Sequence, residues 1–126
     1  MPTSKLKIQP IELIDNNSIV VNYNEKVHIE LEDMKDILNA IYEFTKKKPF
    51  KRLIVISKNS TITREARTLL QEENHLNRKN IVAEAVVVHS LAQKMATNFY
   101  LSFIKNDFPS KFFTDLNTAN EWLKSH

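Results

Sequence analysis

Four histidines, a hydroxyl-rich and cationic stretch at 57–67, and a basic run at 46–52 are the residues of this 126-residue chain best placed to do chemistry. His28, His75, His89 and His126 never fall four apart, and none has the carboxylate company of a metal site. His89 precedes Ser90, and a serine and histidine adjacent in sequence rarely aim at one another. No third member of a triad is evident, so the sequence predicts no catalytic residue, no metal site and no cofactor. Lys46-Lys47-Lys48-Pro49-Phe50-Lys51-Arg52 puts five cations in seven residues, a composition that could touch nucleic acid or acidic lipid. Three of those lysines suit a helix end, and Phe50 is the only interleaved aromatic, so nucleic-acid binding is not expected.

Around the start of a second predicted helix stand Lys58, Ser60, Thr61, Thr63, Arg64 and Arg67. The free N–H groups and dipole of a helix start attract anions. Exposed cations there oppose the dipole by about 0.3–1 kcal/mol each. Arg64 and Arg67 therefore make sense if an anion, a phosphorylated side chain or an acidic partner surface occupies the spot. The alternative is surface pairing with Glu65 or with carboxylates of the first helix. Thr63 or Thr61 serves as the helix cap in either case.

Composition excludes more than it proposes. The chain has no glycine and no cysteine. Phosphate-binding loops, the dinucleotide-binding turn and the nucleophile elbow all need glycine where backbone approaches a ligand. Thiolate metal sites, disulfides and thiol nucleophiles need cysteine. The net charge of +3 is concentrated in residues 49–80, which hold seven cations against three acids. This is a modest field for steering an acidic partner, far short of the basic stripe of a nucleic-acid binder. The opening residues lack the apolar core of a secretory signal, and the apolar run at 81–88 is too short to span a bilayer. A cytoplasmic protein without integral membrane association is expected.

The elements that must position these residues follow from periodicity. Residues 11–14 and 18–23 read as strands around the turn Asp15-Asn16-Asn17, hence a hairpin. Leu31, Met34, Leu38, Ile41 and Thr45 fall at helical spacing and predict a helix over 31–47, its last turn carrying Lys46 to Lys48. Residues 52–57 form a short apolar strand and 63–74 a helix with Ala66, Leu69 and Leu70 inward. A strand at 81–88 is apolar at nearly every position, which suits a central strand. Ser90 caps a helix to about residue 104, Lys111-Phe112-Phe113-Thr114 is a last strand, and Asp115 caps a closing helix. The predicted architecture is a single α/β domain over 1–126, with a mixed, mostly parallel five-stranded sheet, an N-terminal antiparallel hairpin and four helices. Ligands of such sheets sit beyond the carboxyl ends of the strands, at the loops after Ser57, Val88 and Thr114.

Three stretches carry a resemblance. These are Ser60-Thr61-Ile62-Thr63-Arg64-Glu65-Ala66-Arg67, Ala85-Val86-Val87-Val88-His89-Ser90, and Phe108-Pro109-Ser110-Lys111-Phe112-Phe113-Thr114-Asp115 with Ala119 and Glu121-Trp122-Leu123. Over residues 11–123 the chain resembles SpoIIAA-like proteins of the STAS and CRAL-TRIO-like superfamily, within a small bacterial branch of unassigned function. In anti-sigma-factor antagonists of that superfamily, phosphorylation of a serine at the start of the second helix blocks partner binding. The matching stretch here is 57–63. The resemblance thus implies a non-enzymatic regulatory module with a protein partner or phosphate-bearing group at that helix. CRAL-TRIO relatives hold apolar ligands, which implies the alternative of a lipid or acyl carrier.

Phe99, Tyr100, Phe103, Phe112 and Phe113 enter through this alternative. The helix expected from Ser90 is apolar on too many sides to be satisfied by the sheet alone. Its excess face predicts a homodimer contact or the lining of an apolar pocket.

Overall fold

The computed structural model describes residues 6–15, 17–46, 48–57, 59–72, 78–89 and 108–126. Strand β1 (Glu12–Leu13) folds back on β2 (Ser18–Asn22) in an antiparallel hairpin. The turn is closed by Asp15, whose Oδ1 accepts the N–H groups of Asn17 at 3.0 Å and Ser18 at 2.8 Å. The Asn17 hydrogen bond is the chief reason the Asp15 carboxyl is held below its ordinary range. Parallel strands β4 (Phe50–Val55), β6 (Ile81–Val87) and β7 (Ser110–Phe113) complete a sheet of order β1-β2-β4-β6-β7. The apolar run of β6 is explained by its two neighbours, β4 and β7, although β4 is the middle strand.

Two further strands, β3 (His28–Ile29) and β5 (Thr61–Ile62), pair in parallel as a separate ribbon. The α/β architecture, the five strands and the antiparallel hairpin agree with expectation. Three α-helices are present among the described residues, not four: α1 (Leu31–Thr45), α2 (Arg64–Glu72) and α3 (Leu116–Lys124). The helix expected from Ser90 lies outside the described residues.

Each face of the sheet has its own core. Ile19, Val21, Ile54 and Val86 meet α1, which buries Met34, Ile37, Leu38 and Ile41. Each of those side chains contributes about 1.5–3 kcal/mol by leaving water. Val20, Leu53, Ala83, Ala85 and Val87 meet Ala119 and Leu123 of α3 on the other face. Asp115 caps α3 by accepting the Thr118 N–H at 2.7 Å, as the sequence suggests.

The end of α1 differs from expectation. The helix stops at Thr45, and Lys46 takes a left-handed conformation with φ of 51°, its N–H closing on the Tyr42 carbonyl. Lys46 and Lys48 therefore lie beyond the helix, not in its last turn. Lys7, Lys26 and Asn59 also have positive φ, so lysine and asparagine fill bends where glycine costs least.

Candidate partner-binding surface

The ribbon continues beyond the carboxyl ends of β2 and β4 and sets the start of two helices. Ile29 is fully buried and Ile62 half-buried, so one side of the ribbon is anchored in the α1-side core. Period-two alternation then turns His28 and Thr61 outward, where both are exposed. The Thr61 N–H bonds the Val27 carbonyl at 2.9 Å and the Thr63 N–H bonds the Ile29 carbonyl at 3.0 Å. One residue past β3 the chain enters α1, and one past β5 it enters α2. The positive ends of two packed helices thus emerge from one ribbon.

The two ends are satisfied differently. At α1, Asp33 Oδ2 accepts the Glu30 N–H at 2.8 Å and the Lys7 ammonium at 2.9 Å. Partial burial pushes the Asp33 pKa up, but the Glu30 hydrogen bond and Lys7 outweigh it and hold the carboxyl below its ordinary range. At α2 the cap is uncharged: Thr63 Oγ1 accepts the Ala66 N–H at 3.1 Å. Arg64 is exposed in the first turn, and exposed Arg67 reaches back to donate to the Ile62 carbonyl at 3.2 Å.

The hydroxyls predicted around this helix separate into inner and outer groups. Ser60 is only 7% exposed and donates to the Asn24 carbonyl at 2.9 Å, beside Ser57, which donates to the same oxygen at 2.6 Å. Sharing that acceptor ties the turn after β4 to the turn after β2. Thr61 alone presents its hydroxyl at the surface, where Oγ1 meets His28 Nδ1 at 2.6 Å. His28 Nε2 lies 3.9 Å from Glu30. The structure therefore brings Thr61, Thr63, Arg64 and Arg67 together, adds His28, and turns Ser60 inward. Lys58 lies outside the described residues. The sequence set His28 aside with the other histidines, and its place beside Thr61 was not legible because a two-residue strand leaves no periodicity to detect.

Residues 13–126 match a family described as a domain of unknown function, DUF7793. The chain belongs to the DUF7793 family. No curated protein matches it. Among solved structures it is similar to an uncharacterized DUF3478-family protein with a SpoIIAA-like fold from Shewanella loihica PV-4. The TM-score is 0.63 at 19% identity, over 92% of this chain and 91% of that one. The likeness establishes for this DUF7793 domain the SpoIIAA-like fold that its sequence resembles.

Among the described residues the remaining candidates do not assemble into a second site. Phe112 and Phe113 are both buried, but as neighbours on β7 they point to opposite faces of the sheet. Phe113 packs against Trp122, with ring centroids 5.7 Å apart. The two cannot line one pocket or one dimer face, which corrects the expectation for them. Phe99, Tyr100 and Phe103 lie outside the described residues, as do His75 and Ser90. His89 is exposed just past β6, and His126 packs against Trp122 in a tilted arrangement with ring centroids 4.4 Å apart. Among the described residues no cluster of three potential metal ligands occurs, and no helix is long and apolar enough to cross a membrane.

The basic run also divides. Lys46 and Lys48 are exposed, whereas Phe50 is buried in the core. Arg52 is 1% exposed and pairs with Glu84, which is 6% exposed, directly across the β4–β6 register. Arg52 Nε donates to Glu84 Oε2 at 2.6 Å, and Nη2 bonds the same oxygen. The sequence placed Arg52 at the start of a strand but gave it no partner. The available signal was an acid in one apolar strand, Glu84, and a base in its neighbour, Arg52, each flanked by apolar residues on the following positions.

Proposed function

We propose that this domain is a non-catalytic binding module. The ribbon and first turn of α2 dock an acidic or phosphate-bearing segment of a partner protein. The observation that carries the reading is the placement of exposed Arg64 and Arg67 beside exposed His28 and Thr61, at a helix start whose cap supplies no negative charge. A partner carboxylate or phosphate there would complement the helix dipole, which the two arginines otherwise oppose. Thr61 is the hydroxyl available for a regulatory phosphate, since Ser57 and Ser60 spend theirs on the Asn24 carbonyl. The SpoIIAA-like fold supports a module of this kind.

Site-specific photocrosslinking in cells that express the protein natively tests this. A benzophenone side chain at position 61 or 64 is expected to trap a heteromeric adduct that one at exposed Lys124, on α3, does not. Combining the crosslinker at 61 with Arg64→Ala and Arg67→Ala should weaken capture by roughly tenfold or more. Equal trapping from 61 and 124, or capture indifferent to the arginines, overturns the reading.

A further inference from the structure

The side of the molecule between the edge strand β1 and helix α1 carries an apolar furrow that no function above uses. A groove of about 590 Å³ runs between Leu6, Pro10 and Ile11 on one wall and α1 on the other. Phe44 also lines a second hollow of about 270 Å³, together with Leu13, Pro49 and Phe50. Phe44 is 40% exposed where groove and hollow meet, and Leu13, in the hollow, is 59% exposed, so two large apolar side chains of the furrow stand in water.

The charges along it are sorted. The charged residues lining the groove on the Pro10 side are Asp36 and Glu43, and those lining the hollow on the Asn17 side are Lys46 and Lys48. The surface therefore reads acid, apolar, base along one line. Such an arrangement complements itself on a half-turn: the acidic end of one copy meets the basic end of the next, while the middles coincide.

We propose that the β1–α1 furrow is an isologous dimer interface, its occupant a second copy of this chain and its two-fold axis close to Phe44. Side chains make the contact. Main-chain pairing of the two edges contributes little, because β1 has two residues and Pro10 lies beside it. Phe44 and Leu13 of each copy supply the apolar centre, and Asp36 and Glu43 face Lys46 and Lys48 of the other. The proposal is independent of the ribbon surface and moves the expected homodimer contact from the helix after Ser90 to α1.

Charge reversal tests both the interface and its symmetry. The wild-type chain is expected to run in light scattering at twice its 14.7 kDa mass. Phe44→Glu is expected to run at the chain mass. Asp36→Lys with Glu43→Lys makes the furrow wholly basic, and Lys46→Glu with Lys48→Glu makes it wholly acidic. Each variant alone should self-associate at least about tenfold more weakly. An equimolar mixture should form the heterodimer, because both ends of an isologous contact then become complementary, and that recovery also shows that both variants fold. A wild type at the chain mass at every concentration, a Phe44→Glu dimer, or a mixture that stays monomeric overturns the proposal.

Discussion

Removing one partner of the Arg52–Glu84 pair should cost this fold a large share of its stability. Arg52 alternates with Ile54, and Glu84 with Val86, so both charges lie on the sheet face that packs under α1. They are 1% and 6% exposed, which leaves bulk water little access to either. Glu84→Gln keeps the shape and one acceptor oxygen but takes away the carboxylate charge that the buried guanidinium meets across the register. Breaking a buried pair in this way costs about 3–5 kcal/mol. Domains of this size are held by only about 5–15 kcal/mol. At roughly 2.1 cal/mol/K of unfolding entropy per residue, each kcal/mol lowers the melting temperature by about 4 °C, so Glu84→Gln should lower it by about 11–19 °C. The double variant Arg52→Met with Glu84→Leu removes both charges and both desolvation penalties, and it should recover most of the loss. Urea unfolding at neutral pH, followed by circular dichroism, measures all three proteins, with slopes compared to establish that the same surface is exposed. A Glu84→Gln loss below about 1 kcal/mol would mean that the pair behaves like a surface one, and the reasoning from burial fails.

Two smaller perturbations test how the helix ends are held. Asp33→Asn keeps an acceptor for the Glu30 N–H but loses the charge that meets Lys7, and should cost about 0.5–1 kcal/mol at neutral pH. Because folding lowers the Asp33 pKa, its contribution is full above the unfolded carboxylate range and disappears as pH falls through the folded value. The stabilities of wild type and Asp33→Asn, measured by denaturant titration, should therefore converge in acid, and a constant gap would refute the assignment. Lys46→Gly relieves a left-handed residue that carries a Cβ, and should raise stability by about 0.5–1 kcal/mol, or about 2–4 °C in the thermal midpoint. A lower midpoint would mean that the Lys46 side chain contributes more than its backbone strain costs.

The sequence conveyed the elements whose signals are local. The Asp15 turn, the Thr63 and Asp115 caps and the inward face of α1 each depend on a few neighbouring residues, and each is found where periodicity and capping chemistry place it. The end of α1 was misplaced because lysine is a good helix former, and nothing local marks Lys46 as left-handed. What escaped depends on strand pairing. The β3–β5 ribbon joins residues 33 apart through two-residue strands, and the Arg52–Glu84 pair exists only once β4 and β6 lie in register. Ser60 shows the same limit within the candidate site. Its type suited a surface switch, but the proximity of Asn24 turns it inward. Phe112 and Phe113 looked like one aromatic patch until strand alternation assigned them to different cores.

The sheet order has a consequence for how the protein is made. Read across the sheet, its strands appear in the same order in which the chain is synthesised, so each pairs with a strand already present and none must be threaded between two earlier ones. A nascent chain leaving the ribosome can therefore lay down its sheet from the hairpin outward, one row at a time, each completed row templating the next.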